Sequence, residues 1–245
     1  MGKRFKSELC AYCGAGSETA DHVFARTFFP KHLRGDLPQV AACTSCNREK
    51  SRLEHYLATV LPFGGNHPLS PAMLEQSVPP RLARNQKLHR KLQERQQTVQ
   101  WQEDGRVQSS FGVPYDHDQL FAYLGFVARG LARAHWSCTI RADYAVSSGL
   151  VTRGQDAILR RFFVGRSAGY ARGSLGAGLI LYEGQQALDN PSITMWRFLL
   201  YGGLIFSDDE QVLDIPRDLW TVTARQPIPG LISLRSASHA DVGTD

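Results

Sequence analysis

The chain reads as an α+β protein. It has a small zinc-bound module of two strands and a helix at its N-terminus, followed by a mixed α/β-rich C-terminal part whose type no motif names. Three observations predict this. Two Cys-x-x-Cys pairs, Cys10/Cys13 and Cys43/Cys46, bracket a short segment able to form a hairpin. A helical spacing of Leu53, Leu57, Val60 and Leu61 begins just after the second pair. Beyond residue 100, short apolar runs separated by turn signals surround one long amphipathic stretch.

Taken in order, residues 9–14 form a zinc knuckle at a hairpin start, and 19–25 are extended. A loop from residue 34 leads into a short strand at 39–42, and a helix begins at Thr44. Pro62 and Gly64-Gly65 stop that helix. Pro68, Pro71, Pro79 and Pro80 punctuate a linker, after which residues 81–97 (RLARNQKLHRKLQERQQ) read as a basic helix. Leu82, Leu88 and Leu92 are its sparse apolar anchors.

Asp104-Gly105 between 98–101 and 107–111 signals a hairpin. Asp116 is placed to cap a helix over 117–136, with Leu120, Phe121, Leu124, Val127 and Leu131 on one face. A shorter helix follows at 154–163, and strands at 179–182, 220–223 and 231–234. Gly202-Gly203 reads as the turn of a hairpin joining 196–201 to 204–206. Cys138 reads as a small buried hydrophobe, and the polar tail from Ser236 as a fraying end. The segments are then 1–62 (zinc module), 63–100 (linker and basic helix) and 101–245 (C-terminal domain).

Composition sets outer bounds. A hydrophobic content of 42% supports a real core. No apolar run is long enough to span a membrane, and no signal-peptide core follows the basic start, so the expected compartment is reducing cytoplasm. There, paired cysteines favour metal over disulfides. The net charge of +5 is unevenly spread: residues 1–100 carry 15 Lys+Arg against 8 Asp+Glu, and the last lysine is Lys91. A basic front on a slightly acidic body suits a phosphate-binding module, although a solvated basic face looks the same.

The chemistry concentrates at three residues that a zinc shell does not need. Cys10, Cys13, Cys43 and Cys46 suffice for a closed tetrahedral Zn²⁺ site. Asp21-His22 lies between the pairs and Asn47 directly follows the last cysteine. A carboxylate and an amide oxygen suit a hard divalent cation, and a neighbouring imidazole suits a general base.

This string, Cys10-x-x-Cys13, Asp21-His22, Cys43-x-x-Cys46-Asn47-x-x-Lys50, resembles the zinc-stabilised variant of the HNH (ββα-metal) endonuclease superfamily. The resemblance covers about a quarter of the chain and implies a metal-dependent endonuclease acting on DNA. It implies His22 as general base, and Asp21 and Asn47 as ligands of a catalytic Mg²⁺ or Mn²⁺. Lys50, Arg26, Arg48 and Arg52 are the candidate nucleic-acid contacts, joined more loosely by Lys31 and Arg34. His55 is a candidate outer ligand. The same residue types at these positions also read as ordinary solvated or packed side chains.

The chain departs from the family pattern at one point. Pro38 stands where many members carry an Asn that fixes the loop, which removes that orienting role or moves it to Asp36 or His32. A homodimer would supply the second active site that cutting both strands requires. A non-catalytic zinc-finger module that binds nucleic acid, or an adaptor, is the competing reading.

Overall fold

The computed structural model describes residues 5, 7–103, 105–162, 167–208, 211–212, 217–228 and 233–234. The N-terminal elements follow the expected order. Strand β1 (Thr19–His22) pairs antiparallel with β2 (Gln39–Ala42), and helix α1 (Thr44–Gly64) follows directly. Between the strands lie two short 3-10 turns, Arg26–Phe28 and Lys31–Leu33.

Two side chains start α1. Cys43 is the N-cap, its sulfur accepting from Cys46 N at 3.4 Å. The Glu18 carboxylate accepts from Thr44 N at 3.1 Å and from the Thr44 hydroxyl, placing an anion at the positive end of the helix. Leu53, Leu57, Val60 and Leu61 are buried, as their spacing requires. The helix runs through Pro62 to Gly64.

The next segment departs from expectation. Helices α2 (Ser70–Gln76) and α3 (Pro79–Arg84) occupy the stretch read as a linker, because prolines sit in their first turns, where the missing N–H costs nothing. The basic helix is interrupted at Asn85. That residue ends α3 and caps α4 (Gln86–Glu94), its side chain accepting from Leu88 N at 3.0 Å.

Strands β3 (Gln97–Glu103) and β4 (Arg106–Gly112) form the expected hairpin. They belong to a four-stranded sheet ordered β4-β3-β10-β9, with β9 (Ser207–Asp208) and β10 (Gln211–Val212).

Helix α5 (His117–Trp136) has the expected bounds. Asp116 accepts from Gln119 N at 3.2 Å, and Ser137 closes the helix in a left-handed conformation. Helix α6 (Arg153–Phe162) also forms. The remaining strands make one antiparallel sheet of β5 (Ala145–Gly149), β6 (Ser167–Leu175), β7 (Ile180–Ala187), β8 (Thr194–Leu200), β11 (Leu219–Ala224) and β12 (Ser233–Leu234), ordered β12-β5-β11-β8-β7-β6.

Residues 204–206 do not pair with β8, whose edges are taken by β7 and β11; Leu204 bridges to Gly65 instead. Cys138 is only half-buried, and its thiol donates to Pro191 O at 3.3 Å. Residues 231–232 and the tail from Ser236 lie outside the described residues.

Helix α5 is buried between the N-terminal elements and the large sheet. On one side Tyr12 packs edge-on against Phe126, and Phe28 against Tyr123, with ring centroids 5.2 and 5.4 Å apart. Arg129 donates to Tyr12 O at 2.9 Å, and Arg133 pairs with Glu8 at 3.0 Å. Gly130 permits this approach, since a Cβ there would lie 3.0 Å from both methyls of Val23. On the sheet, Trp196, Phe198 and Leu200 of β8 point inward, and Phe24 reaches across to stack on Tyr182 at 5.6 Å. One hydrophobic cluster therefore includes Cys10, Phe24, Leu57, Val127, Trp196 and Leu219, so segments on both sides of residues 62 and 100 share a core. No helix among the described residues is long and apolar enough to cross a membrane.

Candidate metal centre

The four cysteines converge. The first pair is carried on a tight turn in which Cys10 N donates to Ala15 O at 2.7 Å and Gly14 N to Cys10 O at 2.9 Å. Gly14 sits at φ +78°, a conformation open to glycine. Ala11 N donates to Ala41 O at 2.9 Å, tying this turn to β2, whose end leads into Cys43. All four sulfurs lie within 4.8 Å of one another, and Cys13 and Cys43 are 3.7 Å apart. A tetrahedral shell with Zn–S bonds of about 2.3 Å has sulfur–sulfur edges of about 3.8 Å, so the donors and their spacing fit zinc.

Their crowding perturbs the thiols. A hydrogen bond from Cys46 draws Cys10 down to about 4, and the same contact pushes Cys46 far up. Binding of Zn²⁺ would take the remaining protons off all four. Such a shell is closed and leaves no open position for chemistry.

Strand alternation sorts the polar residues beside it. Thr19 and Asp21 share the face of β1 turned to α1, and His22 points to the other. From α1, Asn47 Nδ2 donates to Thr19 Oγ1 at 3.0 Å. One turn on, Lys50 Nζ lies 3.0 Å from Asp21 Oδ2 and donates to His22 O at 2.7 Å and to Glu54 Oε1. The Tyr12 hydroxyl donates to Asp21 Oδ2 at 2.5 Å. Asp21 is thus buried with one oxygen doubly engaged. Among the described residues, nothing donates to its Oδ1 or to the side-chain oxygen of Asn47.

The surroundings set the charges. Burial pushes Glu54 up to about 7, with the Lys50 ammonium opposing the shift. Burial and the Asp21 carboxylate hold the Tyr12 phenol well above its usual range, so it remains a donor.

Lys50 does not take the place expected of it. It is 0% exposed, with its Nζ 5.6 Å from the centre of the Tyr123 ring. A phosphate contact is therefore closed to it: three oxygens already saturate its three N–H donors, and its stem is packed.

His22 is half-exposed, and its Nε2 lies 2.7 Å from Gln39 Nε2, directly across the β1–β2 pair. With the amide nitrogen facing the ring, Nε2 is the acceptor. With the amide turned over, Nε2–H donates to its oxygen and Nδ1 is left basic. Partial burial and the nearby Arg26 charge lower the His22 pKa, partly offset by Asp21, which favours the neutral ring. Gln39 thus contacts the imidazole. Asp36 and His32, one of which would take the role of the missing Asn if that role is kept, are both exposed, and among the described residues neither bonds the ring.

Arg26, Arg48 and Arg52 are exposed, as phosphate contacts must be. Lys31 is exposed too, whereas Arg34 donates to Phe29 O at 3.0 Å. His55 lies eight residues from Asn47, about 80° around the helix. It faces a cleft of about 550 Å³ with Arg48 and Arg52, closed on the far side by Asn85 and Leu88, and so turns away from Asp21.

Tyr12 and Gln39 are the contacts that sequence reasoning missed. Neither carries a spacing signal, whereas the i,i+4 spacing of Lys50 and Glu54 could have revealed their ion pair. No protein-family model, curated protein or solved structure matches the chain, so any assignment rests on these residues alone.

Proposed function

We propose that this chain is a metal-dependent DNA endonuclease of the zinc-stabilised HNH (ββα-metal) type. The observation that supports the reading is that Asp21 and Asn47, both on the face where β1 meets α1, each keep one side-chain oxygen to which no described residue donates. These are Asp21 Oδ1 and Asn47 Oδ1, and each side chain is held by a bond through its other terminal atom.

These two oxygens would hold a divalent cation such as Mg²⁺ or Mn²⁺, since both are the hard donors such an ion takes. Bound there, it would supply charge neutralisation at the phosphate and at the departing 3′ oxygen. His22, neutral and on the other face of β1, takes a proton from the attacking water as the P–O3′ bond breaks; the leaving oxygen is protonated from solvent. General-base catalysis of this kind is worth about 10² to 10⁴ in rate. Gln39 orients the ring, and Arg26, Arg48 and Arg52 hold flanking phosphates. Zinc stays structural.

The competing reading, a zinc module that binds nucleic acid without cutting it, is favoured by one observation: Asp21 already carries the Lys50 ammonium. A nicking assay on supercoiled plasmid with Mg²⁺ or Mn²⁺ separates the two. The nuclease reading expects metal-dependent nicking that His22→Ala abolishes while zinc content and fold are kept. Nicking by His22→Ala at the parent rate removes the assigned base. Absence of nicking with DNA binding intact supports the binding module.

A further inference from the structure

Among the described residues, Lys50 is the only buried lysine or arginine. Burying an ammonium costs several kcal/mol unless it is paired and hydrogen-bonded, so its partners show what it is for. They are Asp21 Oδ2, the main-chain oxygen of His22 and Glu54 Oε1. Two of the three belong to the Asp-His dipeptide at the centre of the site. One side chain thereby anchors both the carboxylate and the strand carrying the imidazole to α1, the helix that supplies Asn47.

Resting on the nuclease reading, we propose that Lys50 is the positioning residue of the cation site. It pins Asp21 through Oδ2, so that Oδ1 is the oxygen presented to the ion, and it sets the charge the ion meets. With this bond gone only the Tyr12 hydroxyl holds Oδ2, and Asp21 can turn and draw the cation out of line with His22. With both carboxylates ionised, Asp21, Glu54 and Lys50 sum to one negative charge. Replacing Lys50 with a neutral residue leaves two, and neutralising Glu54 leaves none. The cation should respond to that sum, and turnover to the pin.

The experiment measures Mn²⁺ affinity by the paramagnetic resonance of the free ion, at about pH 8.5, together with plasmid nicking at saturating Mn²⁺. It uses the full zinc-loaded chain and the variants Asp21→Asn, Lys50→Met, Glu54→Gln and the Lys50→Met/Glu54→Gln double. Lys50→Met is expected to bind Mn²⁺ about tenfold tighter yet nick at least about tenfold more slowly. Glu54→Gln is expected to bind about tenfold more weakly. The double variant, whose charge matches the parent, is expected to recover the parent affinity within about threefold and still nick slowly. A merely structural lysine would lower stability without splitting affinity from rate in this way.

Failure of the parent to bind Mn²⁺, or equal binding by Asp21→Asn, overturns the nuclease reading and this inference with it. Asp21-dependent binding that Lys50→Met and Glu54→Gln leave unchanged in affinity and rate overturns the inference alone. If Lys50→Met does not fold, Glu54→Gln decides: an affinity equal to the parent's overturns it.

Discussion

Removing zinc should unfold more than the hairpin it clamps. The perturbation is a chelator strong enough to strip a four-thiolate site, or the single substitution Cys43→Ala, which removes both a ligand and the N-cap of α1. Strands β1 and β2 have four residues each, too few to stand alone. Zinc in such a site contributes on the order of 10 kcal/mol, comparable to the whole stability of a domain. The loss should spread, because the core cluster that contains Cys10 also contains Leu57, Val127 and Trp196.

Unfolding entropy of about 2.1 cal/mol/K per residue gives about 0.5 kcal/mol/K for 245 residues. A loss of about 10 kcal/mol then lowers Tm by roughly 20 °C. Calorimetry with and without chelator measures this. Thiol titration checks the cause: of five cysteines, only Cys138 should react readily in the zinc form, and all five after chelation. A chelated protein that melts within about 2 °C of the zinc form, with all its zinc released, would refute the claim that the metal holds this core together.

Further outcomes follow from individual contacts. Gln39→Ala should slow nicking about 10- to 100-fold through loss of the ring's orienting bond, with Mn²⁺ affinity unchanged. On the nuclease proposal the neutral His22 ring would be the base, and because its pKa is lowered, activity should rise with pH on an acid limb below the ordinary histidine value. Gln39→Glu should move that limb up, as a carboxylate favours the imidazolium, and a limb that stays put would remove Gln39 from the ring. Arg48→Ala and Arg52→Ala should each weaken DNA binding and lower the slope of log affinity against log salt by about 1, where packed residues would leave it unchanged. Gly130→Ala gains about 1 kcal/mol of helix propensity but drives a methyl against buried Val23, so a net loss of about 1 kcal/mol in chemical denaturation is expected.

What could be read from the chain was whatever had a local signature. The cysteine spacing, the Asp116 cap with its three-and-four apolar period, and the turn signal between 98–101 and 107–111 each encode geometry within a few residues; the cysteines cluster, the helix forms, and the strands flanking that signal pair as a hairpin. Prolines misled in 68–80, because the same residue that ends a helix also starts one, and only tertiary packing distinguishes the two. Strand β6 was missed because Ser167–Leu175 is rich in small and polar residues; it forms by pairing along β7 rather than through its own propensity. The strand order of the large sheet depends on contacts far apart in the chain, which no local period records.

In the candidate site, the metal ligands were legible as types, but their environment was not. The burial of Lys50 needs β1, α1 and α5 assembled around it. Gln39 meets His22 only once the hairpin register is set.

The most direct test is anomalous diffraction from crystals of the protein soaked in Mn²⁺, with data at the zinc and manganese edges. The account expects zinc among the four sulfurs. It expects manganese about 2.2 Å from both Asp21 Oδ1 and Asn47 Oδ1, with Lys50 still on Asp21 Oδ2. Zinc in place with no manganese between Asp21 and Asn47, at concentrations that support nicking, would contradict it.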